Sequence, residues 1–144
     1  MDLSLSDEQA ALRELARDFV DREVAPHVRD WDRAEQVDRS IVGKLGDVGF
    51  LGLTVPEEYG GSGGDHLTYC LMMEEIGRGD SAIRGIVSVT LGLVGKTILT
   101  FGTEEQKREL LPRLLSGDDA WCQLFSEPGA GSDLAGLSDR KSVV

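Results

Sequence analysis

Apolar residues recur at helical spacing along most of this chain. Leu12, Leu15, Ala16, Phe19, Val20 and Val24 fall on one stripe of a helix. Ser6 followed by Gln9 fits a capping box at its start, with Asp7 and Glu8 at the positive end of the helix dipole. Pro26 should kink or end this helix, and Val28 and Trp31 can carry the stripe through a further turn. Asp38 or Ser40 can cap a second helix bearing Ile41, Leu45 and Val48, with Gly49 as its stop. Residues 50–65 hold Pro56 and five glycines and read as a loop. A third helix is predicted over residues 67–76, broken by Gly77, Arg78, Gly79 and Asp80. The fourth, residues 81–100, is apolar on nearly every side, which predicts a place at the centre of a bundle. Thr103 and Gln106 form a second capping box for a fifth helix, with Leu110, Leu111, Leu114 and Leu115 facing inward. Pro112 is awkward inside that helix, and Gly117 closes it.

After Gly117 the pattern changes. Residues 120–125 are a short apolar run with aromatics, which predicts a strand. The expected fold is therefore all-α: a helical bundle domain of roughly five helices over residues 1–118, followed by the first strand of a truncated β domain over residues 119–138.

Composition narrows the function. With 144 residues, 40% hydrophobic and 28% charged, the chain has the make-up of one soluble globular domain. A net charge of −11 argues against a nucleic-acid partner, because phosphate binding needs a basic face. Two cysteines, Cys70 and Cys122, give no disulfide framework, and a reducing compartment is the simpler reading. The acidic start has no basic segment leading into an apolar core, so it does not read as a signal peptide, and a cytoplasmic location is expected. Residues 83–101 are the most apolar stretch but include Arg84 and Lys96, which favours a buried helix over a membrane span.

Residues 126–133, Ser-Glu-Pro-Gly-Ala-Gly-Ser-Asp, are the first candidate for chemistry. Gly129 and Gly131 let backbone approach a ligand closely, and Ser126 and Ser132 add hydroxyls. Glu127 and Asp133 cannot cradle an anion, so backbone amides would do that. On local chemistry alone a plain Gly-rich turn is the better account, since short Gly-rich matches are common. The stretch is not a dinucleotide fingerprint: counting from Gly129, the sixth position is Leu134.

Residues 90–97 approach a phosphate-binding loop, but Thr90 stands where glycine is needed. Gly95, Lys96 and Thr97 also lie inside a helical pattern whose amides are already bonded. A nucleotide hydrolase using Lys96 is the least favoured reading. His27 and His66 have no ligands at zinc spacing and read as surface or cap residues, so no metal is expected. The acidic pairs Glu57-Glu58 and Glu74-Glu75 read as solvated faces.

Taken in order, LGLTVPEEYGG (residues 51–61), Glu74-Glu75-Ile76-Gly77, FGTEEQKRELLPRLLSGD (residues 101–118) and WCQLFSEPGAGSDLAGL (residues 121–137) resemble the acyl-CoA dehydrogenase family. The resemblance covers residues 3–137. It implies a helical N-terminal domain, a β-barrel-like middle domain and a C-terminal four-helix domain, with FAD between the last two and usually a homotetramer. It implies removal of hydrogens from the α and β carbons of an acyl-CoA thioester, as in fatty acid metabolism. A glutamate base takes the α proton, the flavin N5 takes the hydride, and electrons pass to an electron-transfer flavoprotein. By motif position, Gln123, Phe125 and Ser126 are expected to line the flavin ring, through the Phe125 backbone and the Ser126 hydroxyl. Ser132 is expected near the flavin pyrophosphate and the substrate thioester. Residues 87–94 are expected to form part of the acyl pocket floor, or simply bundle core.

The match stops at Leu137, and no residue here corresponds to the catalytic glutamate. Residues 139–144, Asp-Arg-Lys-Ser-Val-Val, are expected to be non-native, since the codons GAT CGG AAG AGC GTC GTG TAG spell them and match a common sequencing adapter. The expected product is a fragment without activity that binds FAD weakly or not at all. The alternative from another class is a stand-alone helical interaction module.

Overall fold

The computed structural model describes residues 4–138. Residues 139–144, expected to be non-native, lie outside that range. Among the described residues the chain forms six helical rods and almost no strand, as the apolar periodicity requires. Helix α1 (Asp7–Phe19) runs on through a π-helical stretch, Val20–Val24. The turn containing Pro26 separates it from α2 (Val28–Ala34), so Val28 and Trp31 begin a rod of their own. Then come α3 (Ser40–Asp47) and α4 (His66–Gly79). The next rod is continuous: α5 (Ser81–Val87), a π-helical stretch Ser88–Gly95, and α6 (Lys96–Phe101). Helix α7 (Glu104–Ser116) closes the body.

Both capping boxes form. The amide of Gln9 donates to Ser6 Oγ at 3.2 Å and the Gln9 side chain accepts from the Ser6 amide at 3.0 Å. Gln106 and Thr103 repeat the arrangement at 3.2 and 2.9 Å. Asp38 accepts from the Ser40 amide at 2.9 Å, one residue ahead of the cap position of α3, which Arg39 occupies. His27 stands at the cap position of α2, its ring 5.5 Å from that of Trp31, and His66 opens α4.

The apolar stripes meet in one core. Phe19 and Phe50 pack edge to face at 5.5 Å, surrounded by Val20, Ile41, Leu45, Met72, Ile76 and Ile83. The loop of residues 50–65 belongs to this core. Leu51, Leu53, Val55 and Tyr59 are buried, and the amides of Ser62, Gly63 and Gly64 donate back to Gly52, Val55 and Leu53. Tyr59 donates to Glu104 at 2.9 Å and so ties the loop to α7.

Four expectations change. Helix α4 does not break at Gly77; it reaches Gly79, and Asp80 starts the next rod by accepting from the Ile83 amide. The rod from Ser81 to Phe101 is not central. It is long and apolar enough to cross a membrane by length and composition, yet only 28% of it is buried. Ile83, Val87 and Leu91 face the core while Leu93 and Phe101 are open. Composition reports how apolar a helix is, and not how many of its sides have partners. Residues 120–125 carry no ladder hydrogen bonds among the described residues, and the one bridge nearby joins Glu127 and Ala130. A strand is a paired element, and this run has no partner to pair with.

The fourth change concerns Glu75, which is not solvated. It is 2% exposed and lies under three guanidiniums. Arg17 donates at 2.6 and 3.2 Å, Arg13 at 3.0 Å and Arg78 at 3.1 Å. Arg78 also holds Asp21 at 2.8 Å, so α1 and α4 are pinned together along their length. Its neighbour Glu74 is exposed, as one step around a helix dictates. The hydrogen bonds of Arg17, and then those of Arg13 and Arg78, hold the Glu75 carboxyl at about 2 against its burial.

Candidate functional site

The site begins where α7 ends. Gly117 adopts φ +77°, a conformation that favours glycine and turns the chain out of the helix. Arg113 then donates to both carboxylate oxygens of Asp119, at 2.8 and 2.7 Å. The Asp119 amide returns to the Arg113 carbonyl at 3.3 Å. This fork fixes the direction in which residues 120–123 leave the body.

They leave across a cleft of about 570 Å³. One wall is Gly85, Ile86, Val89 and Thr90, from α5 and the π-helical stretch. A second is Val37, Asp38, Arg39 and Val42, around the start of α3. The third is Ala120, Trp121, Cys122 and Gln123. The walls are mostly apolar, and the charged members, Asp38 and Arg39, are exposed. The Trp121 indole nitrogen is buried without a hydrogen-bond partner among the described residues.

Beyond Gln123 the character of the chain reverses. Leu124 is 84% exposed and Phe125 68%. Residues 127–130 form a tight turn in which Glu127 and Ala130 exchange amide-to-carbonyl bonds at 2.9 and 3.1 Å. Ala130 is buried, and the Ser138 amide and hydroxyl donate to Glu127 at 3.1 and 3.0 Å. Ser126 and Ser132 are exposed, and neither their hydroxyls nor Gln123 bonds to another described residue. Neither Gly129 nor Gly131 has positive φ, and a Cβ built on either meets nothing within 4 Å. The chain's own packing therefore does not account for these glycines. A surface with two such glycines, two free hydroxyls and an open aromatic fits a flat, phosphate-bearing cofactor such as FAD.

The four expected cofactor residues thus lie on one segment of ten residues, Gln123 to Ser132. Gln123 belongs both to this segment and to the cleft, so the two features adjoin. Of the expected pocket floor, Val89 and Thr90 line the cleft, while Leu91 is buried in the core and Leu93 faces out. The sequence reading missed Gly85, Ile86, Val37 and Trp121, because the cleft draws on three separated segments. The one available signal was Gly85 itself, a glycine inside an otherwise apolar helix.

Other candidates remain apart. Gly95 to Thr97 lie inside the continuous rod, where helical bonds already hold the backbone. Cys70 and Cys122 are both free. No group of metal-binding side chains occurs among the described residues.

A helical body with an apolar cleft, opening onto a segment suited to a cofactor, is the class of protein this structure defines. Residues 6–118 match the family model for the acyl-CoA dehydrogenase N-terminal domain, and the chain belongs to that family. It is similar to the probable acyl-CoA dehydrogenase YngJ of Bacillus subtilis, with 39% identity over 142 residues, covering 97% of this chain and 37% of that protein. It is 36% identical to the caffeyl-CoA reductase-Etf complex subunit CarC of Acetobacterium woodii, covering 92% of this chain and 35% of the relative. A glutaryl-CoA dehydrogenase from Mycobacterium smegmatis, solved in complex with FADH2, superposes with a TM-score of 0.87 at 34% identity, covering 92% of this chain and 34% of that one. The chain therefore spans rather more than a third of the length of the relatives it matches.

Proposed function

We propose that this chain supplies the helical domain and the first wall of the flavin site of an FAD-dependent acyl-CoA dehydrogenase. Residues 119–138 begin its middle β domain. The reaction is dehydrogenation across the α and β carbons of an acyl-CoA thioester. FAD, when bound, supplies the acceptor for the hydride. The observation that carries this reading is the adjacency at Gln123: an apolar cleft and a cofactor-shaped segment share one residue.

This chain's own residues divide the work. The Ser126 hydroxyl and the Phe125 backbone bind the flavin ring, and the exposed Phe125 side chain and Gln123 shield it from water. Ser132 binds near the pyrophosphate and the thioester end of the substrate. Val89 and Thr90 form floor for the acyl chain. Neither Asp38 nor Arg39 is held in place to take a proton from a substrate carbon. The base is therefore a glutamate outside the residues described, and these residues alone give no turnover. The whole enzyme is a homotetramer in the cytoplasm, without a membrane span, and passes electrons to an electron-transfer flavoprotein.

The test is a hybrid in which residues 1–138 replace the matching part of the Bacillus relative. The expected product is a yellow tetramer, bleached by an acyl-CoA. Ser126→Ala should weaken FAD binding about tenfold, the worth of one charge-assisted or buried hydrogen bond. A tetramer that forms but holds no flavin would count against the reading.

A further inference from the structure

The helix glycines of this chain differ in what explains them. At Gly46 a Cβ would lie 2.4 Å from the Ser116 carbonyl oxygen, at Gly77 2.8 Å from Arg84 Cδ, and at Gly79 2.4 Å from Val20 Cγ1. Each of these is glycine because two elements touch there. Gly85 has no such neighbour: nothing lies within 4 Å of a Cβ built on it. Glycine inside a helix is disfavoured against alanine, and packing does not account for it here. Gly43 is equally open but lies outside the cleft, whereas Gly85 lines it beside Ile86 and Val89.

We infer that the cleft takes apolar acyl chains of about eight carbons or more, and that Gly85 keeps it deep enough to do so. The inference rests on the acyl-CoA reading and adds the substrate class. Size is the first support. A cavity of about 150 Å³ suffices for a six-carbon ring. A four-carbon acyl group would leave most of a cleft of about 570 Å³ unfilled. Lining is the second. Val37, Val42, Ile86 and Val89 reward a chain long enough to reach them, by about fourfold in affinity for each methylene buried. Charge is the third. Asp38 and Arg39 oppose one another in sign and are both exposed, so the cleft offers no buried partner to a charged acyl tail.

The cleft is formed by this chain's own residues, so the chain itself is the test object. Butyryl-, octanoyl- and dodecanoyl-CoA are titrated into the wild type and into Gly85→Leu, with the Trp121 indole N–H resonance as readout and that of Trp31 as a control for the fold. Leucine is a better helix former than glycine and should leave α5 intact. In the wild type, octanoyl- and dodecanoyl-CoA should bind at least about tenfold more tightly than butyryl-CoA. Gly85→Leu should abolish that preference and leave butyryl-CoA unchanged. Equal binding of all three in the wild type, or a preference that survives Gly85→Leu, overturns the inference and leaves the acyl-CoA reading standing. If no acyl-CoA moves the Trp121 resonance, both fail.

Discussion

The helical body and the segment that follows it are built on opposite terms. In the body, large apolar side chains are buried, the buried Glu75 has three partners, and most helix glycines sit where two elements touch. In the segment, Leu124 and Phe125 point into solvent, the Trp121 nitrogen lacks an acceptor, and Gly129 and Gly131 have empty space around them. The body closes its own account of contacts. The segment has features that only something outside these residues can use. Substitutions in the body should therefore act on stability, and those in the segment on binding.

The sharpest challenge to the body is Glu75→Gln. It leaves Arg13, Arg17 and Arg78 crowded around a neutral group. Removing one partner of a buried ion pair costs about 3–5 kcal/mol, and the half-exposed arginines here put the expected loss near the low end. Urea denaturation of the two chains gives the number. A loss under about 1 kcal/mol would mean that α1 and α4 are held by their apolar stripe alone.

Acid probes the same cluster without mutation. The folded carboxyl titrates at about 2, below its ordinary 4.5. A lowered acid contributes stability that is fully present above the ordinary value and is lost as pH falls toward the folded one. Denaturation midpoints should therefore fall between pH 4.5 and about 2, by an amount on the order of 3 kcal/mol if the whole shift is realised. Glu75→Gln should flatten that dependence.

Glu75 also shows what the sequence could and could not tell. Its partners Arg13 and Arg17 are 62 and 58 residues away, so no local pattern distinguishes it from the exposed Glu74. The two capping boxes were legible because donor and acceptor are three residues apart. The apolar stripes of α1 and α7 were legible because helical period alone selects the buried side. The rod from Ser81 to Phe101 was not, since an all-round apolar helix carries no period to say which side is covered. The cleft was hidden for the reason Glu75 was: it exists only once three segments meet. The flavin-side segment was weak as a local pattern, and the order of motifs along the chain raised it.

Gly46→Ala tests the body at a single contact. The new methyl would meet the Ser116 carbonyl, and backbone cannot swing aside as a side chain can. Helices α3 and α7 must separate slightly, at about 2 kcal/mol. Thermal unfolding measures it, and an unchanged midpoint would mean that this crossing has slack.

The smallest expected effect is the most informative for the comparison. Gly129→Ala and Gly131→Ala fill empty space in backbone that has no positive φ. Such a change should alter stability by less than about 0.5 kcal/mol, and the lower entropy of the unfolded chain can even make it favourable. The helical body would not register them at all. In the flavin-bearing hybrid, the same methyl groups would stand between the backbone and a cofactor that needs close approach, so FAD binding should weaken while the unfolding midpoint of the apoprotein stays put. If stability falls instead, these glycines belong to the chain's own packing and the contrast between the two regions is lost. If both quantities hold steady, the segment is an ordinary turn, and the cofactor lies against other residues.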